Sequence, residues 1–193
     1  RVTMPEPASP SGSGRPVGRT GSASGSSFAR PGVLFTPTIA DHELLRRIGK
    51  GAYGEVYLAR NAVGLYHAVK LVYRDGFSQE APYEREFRGI QKYMPVSLGH
   101  PGLVPLLHVG RDDQAGFFYY VMELGDDRSG SPKVDPESYV PKNLLEELKR
   151  RHHFPVAECI EMFLALTGAL EYLHSEKLVH RDIKLSNIIF VKG

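Results

Sequence analysis

Cysteine is almost absent from these 193 residues, and Cys159 is the only one. A lone thiol cannot close an internal disulfide, which excludes a disulfide-built secreted domain and makes a reducing compartment the expected home. Charge of one sign is not in excess either. Lys and Arg number 24 against 22 Asp and Glu, a formal net charge of +2. A chain that held nucleic acid by its general surface would be more basic, so no nucleic-acid partner is expected. No apolar run approaches the roughly 18 residues of a membrane span. The most apolar helical stretch is interrupted by Glu158, Glu161 and Glu171. There is no apolar signal core at the N-terminus, and the sequence opens on Arg1, so it reads as part of a longer chain. The eight histidines show no paired spacing that suggests zinc, and His152-His153 reads as a solvated helix end.

What is present divides sharply. Residues 1 to 38 hold six Gly, six Pro and seven Ser, so 19 of 38 positions are flexible or chain-breaking types. Such a stretch buries too little apolar area to offset its ordering entropy and is expected to be a disordered, solvated tail. Its four spaced arginines make a weak case for an anionic partner. The boundary is placed at residue 40, with a folded unit over 41–193. There, Leu44–Gly49, Glu55–Arg60 and Tyr66–Tyr73 have strand length and are separated by turns. A helix is predicted from about Tyr83 to Met94, with Tyr83, Phe87, Ile90 and Met94 forming one apolar stripe. Strand-like runs follow at Leu103–Val109 and Phe117–Glu123, then a polar connection over 125–140. Helices are predicted at Lys142–Arg151 and Val156–Glu176. Strands with one helix, then mostly helices, suggest a two-lobed α+β architecture with a crevice between the lobes.

Ile48 to Val56 reads I-G-K-G-A-Y-G-E-V, a G-x-G-x-x-G-x-V pattern. Dinucleotide-binding folds place a helix directly after such glycines. Here Glu55–Ala59 reads as a second strand ending in a turn, so the loop joins two antiparallel strands whose glycines let backbone approach phosphates. His67-Ala68-Val69-Lys70 follows. Strand alternation puts Ala68, Lys70 and Val72 on one face and Val69 and Leu71 on the other. A small Ala beside a Lys leaves room for a flat base and sets an ammonium near its phosphates. The helix offers Glu80, Glu84 and Glu86 to hold that lysine. Glu84 and Glu86 lie roughly 200° apart, so both cannot face the strand, and helical arithmetic alone separates them little.

His180-Arg181-Asp182-Ile183-Lys184-Leu185-Ser186-Asn187 leads into an expected apolar strand, Ile188-Ile189-Phe190-Val191. Phosphoryl transfer to a hydroxyl needs a carboxylate to orient the alcohol and take its proton, which suits Asp182. It needs a cation near the γ-phosphate, which suits Lys184, and an oxygen ligand for a hard metal, which Asn187 can supply.

With the glycine loop and lysine, this H-R-D-x-K-x-x-N run resembles the eukaryotic-type (Hanks-type) protein kinases, in order from residue 41 to 193. The resemblance implies a two-lobed kinase fold, with a strand-rich lobe over 41–123 and the start of a helical lobe over 126–193. It implies that Ile48, Gly49, Gly51, Gly54 and Val56 cover ATP and that Lys70 contacts the α- and β-phosphates. Glu86, by its register with Ile90, would pair with Lys70. Ala68 and Ile189 would line the adenine, Met122 would be the gatekeeper, and the Glu123 and Gly125 backbone would bond the base. Asp182 would be the catalytic base, Lys184 its neighbouring cation, and Asn187 a ligand for Mg²⁺. Lys184 resembles the serine/threonine members, and the Pro-rich connection Asp126–Pro141 is similar to bacterial ones. The family's Asp-Phe-Gly does not precede Gly193, which suggests a truncated domain whose parent phosphorylates protein serine or threonine in the cytoplasm. A nucleotide-binding scaffold without turnover and a small-molecule kinase are the competing readings. Lys70, Asp182 and Asn187 argue against the first, Arg181 and Lys184 against the second.

Overall fold

The computed structural model describes Arg1 and residues 37–191. Most of the tail read from composition therefore lies outside the described residues, but its end does not. Ile39 is buried and bridges to His42.

Five antiparallel strands form one sheet in the order β1-β2-β3-β5-β4. They are β1 (His42–Lys50), β2 (Gly54–Asn61), β3 (Tyr66–Tyr73), β4 (Leu106–Asp112) and β5 (Phe117–Met122). The β2–β3 turn is built by Asn61, whose side-chain oxygen accepts from the Val63 and Leu65 amides, while Gly64 supplies a positive φ. The helix after β3, α1 (Glu80–Ser97), starts earlier and ends later than the apolar stripe alone predicts. It continues through Pro95. At its end, buried Ser97 donates to the Met94 carbonyl and accepts from the Leu106 amide, pinning the helix to β4. Strand β4 begins three residues after its expected start. Leu103 is held in a turn by its bond to the His100 carbonyl, and Pro105 has no N–H for a ladder.

The alternation expected in β3 is observed. Ala68 and Val72 face a core with Tyr83 and Ile90 of α1, Leu103, Leu106, Phe118, Tyr120 and Met122; Phe87 and Met94 pack against it. Val69 and Leu71 face a second cluster on the opposite side. Past the sheet lie α2 (Leu144–Arg151) and α3 (Val156–Ser175). The first starts two residues late because Asn143 caps it, accepting from the Glu146 amide. Ala169 and Leu173 of α3 join the first core and so fasten the helical part to the sheet. The expected strand Ile188–Val191 does not form as such. Ile189 makes a single bridge to Asn143, and Phe190 bonds Lys142 and Asp126, because the partner chain turns into α2 after Asn143. No helix among the described residues is long and apolar enough to cross a membrane.

Candidate active site

The cleft face of the sheet gathers the small and apolar residues that the glycine loop and β3 contribute. Register places Val56 opposite Lys70, and Ala68 opposite Met122. Ala68 and Met122 belong to the first core, and Ile48, Val56, Leu124 and Ile189 pack against it, so residues from β1, β2, β3, β5 and the segment after the catalytic loop share one wall. Gly49 pairs with Val56 at the root of the glycine loop, and the Gly51 amide bonds the Gly54 carbonyl across it. At Gly54 the backbone of β3 comes so close that a Cβ would stand 1.9 Å from the Leu71 carbonyl oxygen. Only glycine fits there.

Beyond β5 the chain passes Glu123 and Gly125. The Glu123 amide donates to the Pro105 carbonyl, which leaves its carbonyl as the group a ligand can use. Gly125 lies against Ile189, where a Cβ would stand 3.5 Å from the isoleucine Cδ1. Its carbonyl accepts from the Tyr139 hydroxyl at 3.0 Å. Tyr139 is fully buried, and its own carbonyl accepts from the Arg46 guanidinium of β1, so the polar connection is folded back and tied to the sheet. Arg1 also meets this wall, its amino group donating to the Ile189 carbonyl and its guanidinium paired with Glu123.

The two helix carboxylates have different fates. Glu84 takes both guanidinium nitrogens of Arg111 on β4, at 2.6 and 3.0 Å, which holds its carboxyl below the usual range. Glu86 is on the other side. Burial pushes its carboxyl above the usual range, opposed by the positive charges of Lys70 and then Arg181. The carboxylate therefore stands in the field of both the β3 lysine and the loop after α3. Lys70 is buried, with its ammonium 5.8 Å from the Tyr120 ring centroid. Nothing in the local pattern marks Arg46, Arg111 or Tyr139. Each acts through a partner far away in sequence.

The residues of the loop from His180 to Asn187 converge. Arg181 adopts a left-handed φ of 67° and buried His180 receives the Asp182 amide at 3.4 Å. Asn187, in a short helical turn (Leu185–Asn187), donates through its amide nitrogen to the Asp182 carboxylate at 2.8 Å and to its carbonyl at 3.0 Å. The Lys184 ammonium is 3.0 Å from the same carboxylate oxygen. Of the two atoms of the Asn187 side-chain amide, the oxygen is the one whose chemistry suits a hard cation. No cluster of three or more His, Cys, Asp or Glu among the described residues could hold a metal by itself.

A five-stranded sheet with one helix across it, a glycine loop beside a buried lysine, and an Asp-Lys-Asn loop after a long helix define the kinase class. The protein kinase domain family matches residues 42–193, and the chain belongs to it. It is 32% identical over 152 residues to the serine/threonine-protein kinase PknD of Chlamydia trachomatis serovar L2b, covering 77% of this chain and 15% of that protein. It is 29% identical over 154 residues to Aurora kinase B of Mus musculus, covering 79% of this chain and 39% of that protein. In fold it is similar to the Mycobacterium tuberculosis PknI kinase domain, with a TM-score of 0.57, 24% identity, and coverage of 81% of this chain and 57% of that chain. The chain thus spans about 15% of the length of its PknD relatives.

Proposed function

We propose that the protein containing these residues transfers the terminal phosphoryl group of ATP, with Mg²⁺, to serine or threonine hydroxyls of protein substrates in the cytoplasm. The observation that carries this reading is the Asp182 carboxylate held between the Asn187 amide and the Lys184 ammonium. A carboxylate so fixed can orient an incoming hydroxyl and take its proton, while the neighbouring ammonium offsets charge on the phosphoryl group. The residues present fit both cofactors. The wall of Ile48, Val56, Ala68, Met122 and Ile189 is apolar, with the small Ala68 leaving room beside it, as a purine requires. The Glu123 carbonyl and the Gly125 backbone would bond the base, and Gly49, Gly51 and Gly54 would let the loop close over the phosphates. Lys70 would hold the α- and β-phosphates, with Glu86 positioning it. Asn187 would be one oxygen ligand of Mg²⁺, which supplies charge neutralisation at the phosphates when bound.

The test is Asp182→Asn in the parent protein, assayed on a generic protein substrate beside an ATP-analogue binding measurement. Turnover should fall by at least about a hundredfold, the usual scale of a general-base contribution, while nucleotide affinity stays close to wild type. Lys70→Met should lower turnover as well, by misplacing the phosphates. Activity of Asp182→Asn within about threefold of wild type, with binding intact, would refute the mechanism.

A further inference from the structure

The polar connection between β5 and α2, Asp126 to Pro141, is not slack chain. Its two ends pair with each other. The Arg128 amide donates to the Val140 carbonyl at 2.8 Å, the Lys142 amide to the Asp126 carbonyl at 2.9 Å, and Asp127 bridges to Pro141. Elements on two sides hold this hairpin. On one, the Asp126 amide donates to the Phe190 carbonyl and the Phe190 amide to the Lys142 carbonyl. On the other, Arg46 of β1 donates through Nε to the Pro136 carbonyl at 3.0 Å and through Nη2 to the Tyr139 carbonyl. The connection therefore runs from the first strand of the sheet to the chain that leaves the Asp182–Asn187 loop.

Tyr139 is the one aromatic residue in that stretch, and it is fully buried. Apolar packing alone would be served by Phe, since a buried hydroxyl is costly unless it is bonded. Here it donates to the Gly125 carbonyl at 3.0 Å. Burial, and then the charges of Asp127 and Asp126, hold its phenol well above the ordinary range, so it stays a donor. The amide on the same peptide, that of Asp126, donates to the Phe190 carbonyl at 2.8 Å. The peptide between Gly125 and Asp126 is thus held at both of its polar atoms. Such a hold matters beside a glycine, because no Cβ restricts the backbone and the peptide can turn over at little steric cost. With its carbonyl engaged by Tyr139, Gly125 has its amide to offer next to the Glu123 carbonyl. One donor beside one acceptor matches the edge of adenine, whose amino group donates and whose neighbouring ring nitrogen accepts.

We infer that Tyr139 is a positioning residue for the nucleotide. Its hydroxyl locks the Gly125–Asp126 peptide so that the Gly125 amide keeps facing the base, and Arg46 of β1 holds Tyr139 in place. Tyr139 acts through Gly125 rather than by touching the nucleotide. The inference rests on the reading of the cleft as an ATP site, and it gives the long connection a part in that site.

Tyr139→Phe in the parent protein keeps the ring and deletes only the hydroxyl. KM for ATP and the Kd of a non-hydrolysable ATP analogue should each rise about three- to tenfold. The kcat should stay within about twofold of wild type, because the contact to the base is equal in the ground and transition states. A tyrosine that only packs would lower the melting temperature and leave KM where it was. Hydrogen exchange in the nucleotide-free protein gives a second readout. The Asp126 amide should exchange at least about tenfold faster in Tyr139→Phe, while the Leu144 amide, bonded to the Ile188 carbonyl, keeps its rate. Arg46→Gln loosens the tyrosine without altering it and should raise KM in the same sense by a smaller factor, which decides the matter if Tyr139→Phe folds poorly. An unchanged KM in the deciding variant, a fall in kcat as large as the rise in KM, or an Asp126 amide at its wild-type rate would overturn the inference and leave the proposed function standing. A wild-type parent that binds no adenine nucleotide would overturn both.

Discussion

Gly54→Ala puts the placement of the glycine loop to a quantitative test. Its added Cβ would lie 1.9 Å from the Leu71 carbonyl oxygen, 3.0 Å from the Leu71 carbonyl carbon and 3.2 Å from the Val72 Cα. Carbon–oxygen contacts settle near about 3.3 Å, so β2 and β3 must part by about 1.4 Å at this point. The obstacle is backbone, which cannot rotate away as a side chain can. Overpacking of this kind costs about 1–3 kcal/mol, against which Ala returns only about 0.4–1 kcal/mol through the unfolded chain. Melting of the parent's kinase domain should fall by several degrees, at about 2–4 °C per kcal/mol. Val56 and its partner Lys70 lie two residues along the same ladder, so ATP-analogue affinity should fall with it. Two glycines serve as controls. A Cβ at Gly49 would stand 3.4 Å from the Val56 Cβ, an ordinary contact, and Gly89 on α1 has open space around it. Gly49→Ala should melt with wild type, and Gly89→Ala should be more stable by up to about 1 kcal/mol through helix propensity. A Gly54→Ala protein that melts within about 1 °C of wild type would refute the close approach of the two strands.

The two carboxylates of α1 should respond in opposite senses, read by thermal melts against pH. Glu86 is held above its ordinary range, so the folded state is penalised as pH rises through its pKa; Glu86→Gln should stabilise the nucleotide-free domain at neutral pH while lowering turnover. Glu84 is held below its ordinary range, so its contribution is present above that range and lost as pH falls through the depressed pKa; Glu84→Gln should destabilise at pH 7, by an amount that shrinks as pH falls below the ordinary carboxylate range. On α3, Val156, Ile160, Phe163 and Leu164 are exposed, and each large side chain left in water forgoes roughly 1.5–3 kcal/mol of burial. The 193-residue chain alone should bind a hydrophobic dye and self-associate, and Ile160→Asn with Phe163→Asn should reduce both; a monomer that binds no dye would show that this face is covered.

How much of this was legible in the sequence depends on the range of the interaction that decides each feature. Strands β1 to β3 and the parity of β3 follow from period-two patterning and the turns at Gly51–Tyr53 and Gly64, all local. So does the spacing of Asp182, Lys184 and Asn187, because one short turn brings them together. The start of β4 was less legible, since Leu103 and Val104 look like strand residues and only the absent N–H of Pro105 and the bond to His100 decide otherwise. The choice between Glu84 and Glu86 was open on helical arithmetic, since it is made by Arg111 on a strand 27 residues away. Ile188–Val191 has strand composition but no partner of sufficient length, and composition carries no information about the partner.

The same distinction separates the two faces of β3. One residue type at each cleft-side position, Ala68, Lys70 and Val72, meets a requirement that chemistry imposes from outside the chain, so motif spacing reads it well. Val69 and Leu71 meet only a requirement for apolar cover, which any extended segment of the right period can satisfy. Their contacts, Ile39, Ala59 and the Phe117, Tyr119 and Val121 face of β5, are therefore invisible to motif reading and come from strand pairing. The Gly/Ser-rich composition that led to the expectation of a solvated tail ends at Gly32. Residues 33–39 read Val-Leu-Phe-Thr-Pro-Thr-Ile, richer in apolar side chains than the Gly/Ser-rich run before them. A boundary drawn from composition averages over this change, whereas the burial of Ile39 in the outer-face cluster shows apolar packing beginning before β1 rather than at it.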